Sequence, residues 1–291
     1  MSASRSMWLR QATVALAALL LASCSVFGGR PQGSEAVPGG RYVAMGSSMA
    51  AGPGLGPPKP DTPARCMRTF ANYPTRLAER LLLTLFDATC SGATTDHILG
   101  PWNELPAQID AVTADTDLVT VTIGGNDLNY VGGLLAATCG AEGTITIAGN
   151  VYPCPPRRLP LDEDFDRVEA NLREIARQVK ARAPKARLVF VQYLTLVPDV
   201  LCDATPISPQ DADIARGIAA RLASITAKVA RETRAMVVPA DLLSRNHTPC
   251  DAEPWAVGSP PDYDGSQGAP WHPNFSGMKG VADALAAQLG G

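Results

Sequence analysis

Short apolar runs rich in β-branched residues alternate along this chain with segments of helical periodicity, and this alternation limits the possible folds most strongly. The runs predict strands at residues 42–45, 83–88, 118–123, 187–193 and 236–238. Helical periodicity predicts helices at residues 72–80, 165–182, 211–232 and 276–289. Such alternation predicts an α/β fold of three layers, in which a central parallel sheet lies between two layers of helices. Residues 53–63, 139–160 and 248–270 are rich in Pro and Gly and are predicted to be long loops.

Three residues that suit acyl-transfer chemistry each follow a predicted strand. Ser48 lies in a small-residue turn after the first strand, Gly92 follows the second, and Asn126 follows the third. Because active sites of parallel α/β sheets lie beyond the carboxyl ends of the strands, these residues are expected at one edge. His272 stands just before the last predicted helix. A hydroxyl, an amide and an imidazole are the functional groups of a serine acyl hydrolase.

The four segments carry specific motifs, namely Gly46-Ser47-Ser48, Cys90-Ser91-Gly92-Ala93, Gly124-Gly125-Asn126-Asp127 and Trp271-His272-Pro273. In order and spacing they resemble the four blocks of the SGNH hydrolases, also called GDSL esterases and lipases. The resemblance implies a flavodoxin-like fold, Ser48 as nucleophile and His272 as general base. It also implies an oxyanion hole formed by the Ser48 and Gly92 backbone N–H groups and the Asn126 amide. An ester substrate, either a small molecule or a lipid, and no metal or other cofactor are expected.

Two positions depart from the pattern of this family. Ser47 replaces the Asp of Gly-Asp-Ser, and Ala269 replaces the Asp that usually stands three residues before the histidine. The imidazole of a general base needs an acceptor at Nδ1 that fixes its tautomer. We therefore expect a main-chain carbonyl within residues 267–270 to take this role, so that Ser48 and His272 form a dyad. The nearest preceding acids, Asp262 and Asp264, are the alternative partners.

Other residues compete for the same two roles. Ser47 is the alternative nucleophile, because Gly-Ser-Ser allows a shift of one position. His97, near a predicted helix start, and His247, in a polar segment, are the alternative bases.

The first forty residues have the pattern of an export and tethering segment. Arg5 and Arg10 form a positive region before an apolar stretch at residues 12–21, which is too short to span about 30 Å of hydrocarbon. The following Leu21-Ala22-Ser23-Cys24 resembles a bacterial lipobox. We predict a lipoprotein signal peptide at residues 1–23, lipidation of Cys24, a flexible tether at 24–40 and one domain at 41–291. The alternative is an ordinary secretory signal that is cleaved nearby.

Apart from Cys24, six of the seven cysteines remain, and an even number in an exported protein predicts disulfides. Six cysteines allow fifteen pairings, and spacing alone does not choose among them. Pairing of neighbours is expected, which matches the three-disulfide pattern of the secreted actinobacterial esterases that the chain resembles. The expected pairs are Cys66–Cys90, Cys139–Cys154 and Cys202–Cys250. No Cys-x-x-Cys or Cys-x-x-His spacing supports zinc as the alternative.

The charge balance narrows the range of partners. A net charge of −3 and the lack of a basic block give no reason to expect nucleic acid as a partner.

Taken together, these sequence features predict a monomeric ester hydrolase, either held to the cell envelope through lipidated Cys24 or secreted. An acyltransferase or a carbohydrate O-deacetylase would use the same residues, and a non-catalytic binding lipoprotein is the third alternative.

Overall fold

A computed structural model describes residues 38–60, 62–139, 143–147 and 150–290. The predicted signal peptide, the lipidation site Cys24 and most of the predicted tether lie outside these residues. At the end of the predicted tether, Gly39 N–H donates a hydrogen bond to the Leu82 carbonyl, and the Gly40 carbonyl accepts one from Thr84. Among the described residues, no helix has the length and hydrophobicity needed to cross a bilayer.

Seven strands of the described residues form two separate sheets. The strands are β1 (Arg41–Gly46), β2 (Thr84–Asp87), β3 (Thr116–Thr122), β4 (Thr144–Ile147), β5 (Asn150–Pro153), β6 (Arg187–Val191) and β7 (Met236–Val238). Five of them form a parallel sheet in the order β2-β1-β3-β6-β7, and β4 pairs with β5 as an antiparallel hairpin. The predicted α/β class and its parallel sheet are confirmed.

Eight α-helices accompany these strands in the part of the chain that the structure describes. They are α1 (Ser48–Ala51), α2 (Tyr73–Leu81), α3 (Thr95–Leu99), α4 (Tyr130–Thr138), α5 (Asp162–Arg182), α6 (Pro209–Thr233), α7 (Ala240–Leu243) and α8 (Phe275–Leu289). The chain runs from β1 to β2 in one direction and from β3 through β6 to β7 in the other. Right-handed crossovers therefore place α2 on one face of the sheet and α5 and α6 on the opposite face. Helix α8 packs against α2, and α5 packs against α6.

Helix α5 shows how the sequence pattern becomes core packing. Its apolar residues recur at helical spacing and form one buried stripe: Val168, Leu172, Ile175, Ala176 and Val179. Three acidic residues stand in its first turn, where they favour the positive end of the helix dipole.

Several short elements were not predicted from the sequence, among them the β4–β5 hairpin and α4. The prediction of a loop throughout residues 139–160 is wrong, because β4 and β5 form a hairpin within it. Polar and apolar residues alternate in this segment as they do in a strand, but the surrounding Gly and Pro residues obscure the pattern. Helix α4 was also missed, since it is short and contains Gly132 and Gly133.

Three disulfide bonds join Cys66 to Cys90, Cys139 to Cys154 and Cys202 to Cys250. These are the neighbour pairs expected from the sequence. They close segments with sequence separations of 24, 15 and 48 residues.

Replacing each cysteine pair by alanine should lower stability in the order of the loop that the pair closes. In the chain-entropy account, a loop of 15 residues contributes about 3 kcal/mol and one of 48 residues about 4 kcal/mol. Urea unfolding of the three double variants measures the free energies of unfolding. Equal stability of the Cys202/Cys250 variant and the parent protein would contradict the expectation.

Candidate active site

Ser48 is held at the carboxyl end of β1 by a turn that requires glycine. Gly46 has φ of 151°, and a Cβ there would lie 2.6 Å from the Thr122 carbonyl oxygen of β3. The Gln108 side chain fixes this residue from both sides, since it accepts from Gly46 N–H at 2.7 Å and donates to its carbonyl at 3.1 Å. Ser48 then begins α1 and is only 8% exposed. The strand end therefore presents one hydroxyl in a fixed position.

His272 connects this hydroxyl to the main chain on its other side. Its Nε2 lies 2.8 Å from Ser48 Oγ, and its Nδ1 lies 2.7 Å from the Pro270 carbonyl oxygen. A carbonyl only accepts hydrogen bonds, so Nδ1 carries the hydrogen and Nε2 is left as an acceptor for the Ser48 hydroxyl. The Pro270 carbonyl falls within the stretch where a main-chain partner was expected.

Burial sets the charge of this imidazole. His272 is 7% exposed, and desolvation lowers its pKa to about 4, although the bond to the Pro270 carbonyl opposes this shift. The ring is therefore neutral at pH 7 and able to take up a proton.

An unusual backbone conformation directs the Pro270 carbonyl toward the ring. Trp271, which is fully buried, has φ of 59°, in the left-handed region that large side chains rarely adopt. This bend allows a carbonyl to reach a side chain only two residues later. The bend is secured by Trp271 N–H, which donates to Val257 O at 3.0 Å, and by Val257 N–H, which donates to His272 O at 2.8 Å. Packing and hydrogen bonds thus offset the local strain.

Gly92 occupies a tight turn tied to the Ser48 turn. Ala93 N–H donates to the Cys90 carbonyl at 3.1 Å, and Gly92 has φ of 83°, as the third residue of a type II turn requires. Cys90 N–H donates to the Gly46 carbonyl at 3.0 Å, which links the two turns. Neither Ser48 nor Gly92 donates its backbone N–H to another described residue.

Asn126 and Asp127 hold the segment that follows Gly92. Asn126 Nδ2 donates to the Ala93 carbonyl at 2.8 Å, which uses one of its two hydrogens. The buried Asp127 carboxylate accepts from the Thr95 N–H at 3.0 Å and from its hydroxyl at 2.5 Å. Burial raises the pKa of Asp127, while the bonds from Thr95 oppose that shift. The two side chains therefore clamp the end of β3 onto the Gly92 turn.

The competing candidates lie in other surroundings. Ser47 Oγ hydrogen-bonds to the Tyr193 hydroxyl at 3.1 Å rather than to His272. His97 Nδ1 accepts from Thr94 N–H, and the ring stacks on Trp102. His247 Nδ1 bonds to the Glu253 carbonyl, and the ring stacks on Trp255. Both histidines therefore have structural contacts of their own.

The two acidic residues considered as alternative partners, Asp262 and Asp264, make no hydrogen bond to the His272 ring. Asp262 and Asp264 are both exposed, and Asp264 Oδ1 accepts from Ser266 N–H at 2.8 Å. No carboxylate of a described residue hydrogen-bonds to His272. Within the same residues, no group of three or more His, Cys, Asp or Glu side chains is arranged to hold a metal ion.

Tyr193 is a residue of this site that the sequence analysis missed. Its buried hydroxyl contacts Ser47 Oγ at 3.1 Å and accepts from Gly125 N–H at 3.0 Å. A Cβ on Gly125 would lie 2.5 Å from the Tyr193 ring, so glycine makes room for this contact. One hydroxyl therefore joins the residue before Ser48 to the residue before Asn126. A tyrosine after an apolar strand carries no sequence signal for such a role.

This arrangement, a serine and a histidine at the carboxyl edge of a parallel sheet, is typical of serine acyl hydrolases. Residues 44–279 match the GDSL-like Lipase/Acylhydrolase family. The chain is 34% identical over 266 residues to "Lipase 2" of Streptomyces coelicolor, with 88% of each chain covered.

Solved structures agree with this match. The fold resembles phospholipase A1 from Streptomyces albidoflavus, with a TM-score of 0.65 and 23% identity over 86% of this chain and 99% of that one. It also resembles an extracellular lipase from Streptomyces rimosus, with a TM-score of 0.62 and 22% identity over 85% of this chain and 99% of that one. The chain belongs to the GDSL-like lipase/acylhydrolase family, and it is an ester hydrolase by class.

Tyr193→Phe should lower kcat for ester hydrolysis about tenfold with little change in KM, because it removes the hydroxyl that joins Ser47 to Gly125 and so loosens the positions of Ser48 and Asn126. Steady-state kinetics on a p-nitrophenyl ester measures both constants. Tyr130→Phe is the matched control, since Tyr130 packs edge-on against Tyr193 but makes neither hydrogen bond. Equal kcat values for the Tyr193 and Tyr130 variants would contradict the expected role.

Proposed function

We propose that this chain is an exported serine carboxylester hydrolase that uses Ser48 and His272 as a catalytic dyad. The observation that carries the proposal is the continuous chain of hydrogen bonds from Ser48 Oγ through His272 to the Pro270 carbonyl. The carbonyl sets the tautomer, the buried imidazole is neutral, and its free nitrogen faces the hydroxyl.

In the acylation step, Ser48 Oγ attacks the ester carbonyl carbon while its proton passes to His272 Nε2. The resulting imidazolium donates from Nδ1 to the Pro270 carbonyl, whose dipole favours the positive charge. The tetrahedral intermediate collapses when the alcohol leaves with the proton from Nε2. Water then attacks the acyl-enzyme while His272 accepts its proton, and the carboxylic acid is released when Nε2 returns this proton to the departing Ser48 Oγ.

The negative oxygen of each tetrahedral intermediate needs donors that are already in place. The Ser48 and Gly92 backbone N–H groups and the second Nδ2 hydrogen of Asn126 are the proposed donors. Their support comes from the cross-linked turns, which hold Gly92 to Gly46 through Cys90 and to Asn126 through Ala93. One such donor typically contributes about 3 kcal/mol to the transition state. The oxyanion also lies near the imidazolium, which offsets the cost of charging a buried ring.

The substrate class follows from the relatives rather than from the dyad. Proteins named lipase and esterase are similar to most of this chain, and we propose an acyl ester, including lipid esters, as the substrate. The three disulfides are typical of an oxidising compartment and support export. Anchoring through lipidated Cys24 remains part of the proposal, as does action as a monomer.

Ser48→Ala should lower hydrolysis of a p-nitrophenyl acyl ester about 10³-fold or more, because no hydroxyl would remain opposite His272 Nε2. Ser47→Ala is the matched control, and it should keep kcat within about tenfold of the parent, since it removes one net hydrogen bond. Circular dichroism checks that both variants fold. The reverse ranking of the two variants would assign the nucleophile to Ser47.

The acid limb of the pH dependence should report the low pKa of His272. Activity needs the neutral ring, so kcat/KM should stay level from neutral pH down to about pH 5 and fall tenfold per unit below the pKa of about 4. Initial rates measured with an ester that does not titrate, together with circular dichroism at each pH, test this. A fall centred near pH 6.5 in folded enzyme would contradict the buried, carbonyl-bonded base.

A further inference from the structure

A second cavity lies beside the edge strand β2, and we refer to it as the β2 cavity. Its volume is about 330 Å³, and its lining includes Arg41, Arg68, Phe86, Trp102, Leu105 and Pro106. Ser48, Gly92, Asn126 and His272 do not line it. The β2 cavity therefore excludes the proposed catalytic residues, although its lining shares Cys90 and Gln108 with the turns that hold them.

Part of the β2 cavity is apolar. Phe86 projects from the edge strand β2 with 47% of its surface exposed. Trp102, Leu105 and Pro106 come from the segment before the buried Gln108. Together they form a surface suited to an alkyl chain, since burying each methylene stabilises binding by about 0.8 kcal/mol.

The polar part of the lining is provided chiefly by two arginines. Arg68 Nη1 donates to the Asp87 carbonyl at 2.5 Å, but its buried Nε has no hydrogen-bond partner among the described residues. Arg41 Nη2 donates to the Ala111 carbonyl at 3.1 Å, and its buried Nε likewise lacks a hydrogen-bond partner there. Burial lowers the pKa of Arg68, and the nearby Asp87 offsets only part of this effect. A buried guanidinium N–H group that lacks a hydrogen-bond partner favours the binding of an anion.

The acidic groups nearby already have partners. Asp87 Oδ2 binds Lys59 Nζ at 2.7 Å and Asn72 Nδ2 at 2.9 Å, while its Oδ1 accepts from Thr89. Asp110, which also lines the cavity, lies 3.3 Å from Arg182. The Asp115 carboxylate is 4.0 Å from Arg41 Nε and 76% exposed, so water screens it. Asp87, the acid nearest to Arg68, already pairs with Lys59, so it compensates the charge of Arg68 only in part.

We propose that the β2 cavity binds an alkyl carboxylate of medium chain length. The carboxylate would accept from Arg68, and the alkyl chain would pack on Phe86, Leu105 and Pro106, because His97 and Arg65 cover the faces of the Trp102 ring. Arg41 lies along the same strand pair, with its guanidinium 5.5 Å from the centre of the Phe86 ring. A fatty acid released by ester hydrolysis belongs to this chemical class, and only that link to a natural ligand rests on the proposed function.

Binding is tested without turnover by titrating the full chain carrying Ser48→Ala with decanoate, in an isothermal titration calorimeter and below the micellar concentration. One site is expected. Adding Arg68→Gln should weaken binding about tenfold or more, because a charge-assisted hydrogen bond to the carboxylate is lost. Arg68→Lys keeps the charge but lacks the Nε–H group. Its affinity for decanoate should lie between those of the Ser48→Ala protein and the protein that also carries Arg68→Gln. The matched control Arg80→Gln removes an exposed arginine that pairs with Asp283 and should leave binding unchanged.

The alkyl part is tested by chain length. Affinity should rise about fourfold per methylene from hexanoate to decanoate, and Phe86→Ser, on the exposed edge strand, should flatten this rise. Decyltrimethylammonium, with the same chain and opposite charge, should not bind. If circular dichroism shows that Arg68→Gln does not fold, the measurements with decyltrimethylammonium and with Phe86→Ser still test the proposal. No decanoate binding, equal binding by the Arg68→Gln and Arg80→Gln variants, or equal binding of the cationic amphiphile would overturn the proposal, whether or not the enzyme hydrolyses esters.

Discussion

The hydrogen bond from His272 Nδ1 to the Pro270 carbonyl governs the chemistry available at the carboxyl edge of the sheet. A carboxylate partner would accept a hydrogen bond and add a negative charge, whereas a carbonyl offers only its dipole. The bond fixes the tautomer as fully as a carboxylate would, since both are acceptors. It stabilises a charged ring less, so burial prevails and lowers the pKa of His272 to about 4, which leaves the ring neutral at pH 7.

This bond places demands on the surrounding chain. It needs Trp271 in a left-handed conformation, which is strained for a large residue and persists because the indole is fully buried. The Val257 bonds to Trp271 and His272 complete the support. An aspartate at position 269 would offer its own carboxylate as the acceptor for His272 Nδ1. With Ala269 there, the geometry of the main chain has to supply the acceptor.

The other side of the site depends on three turns that are held to one another. Cys90 joins the Gly92 turn to Gly46, Asn126 joins it to the end of β3, and Tyr193 joins that end to Ser47. Donors fixed in this way need little reorganisation when negative charge develops. The replacement of the usual aspartate by Ser47 fits the same arrangement, because a hydroxyl can pair with the Tyr193 hydroxyl without bringing a buried charge.

The sequence predicted those parts of the molecule that depend on local patterns. The strand ends at Ser48, Gly92 and Asn126 follow from apolar runs that stop at small residues, and the α5 stripe follows from helical periodicity. The need for a main-chain acceptor at His272 followed from the missing aspartate. The role of Tyr193 could not be predicted, because its partners are 146 and 68 residues away along the chain. The β4–β5 hairpin was not predicted, because the Gly and Pro residues around it obscure its alternation of polar and apolar residues.

The account is tested most directly by ¹⁵N NMR of the His272 side chain, assigned by comparison with a His272→Gln variant. We predict a neutral ring at pH 7 with the hydrogen on Nδ1 and none on Nε2, and titration only near the pKa of about 4. The same spectrum should be unchanged in Asp262→Asn and Asp264→Asn. A hydrogen on Nε2, titration near pH 6.5, or a large change in either aspartate variant would show that the Pro270 carbonyl does not set the state of this base.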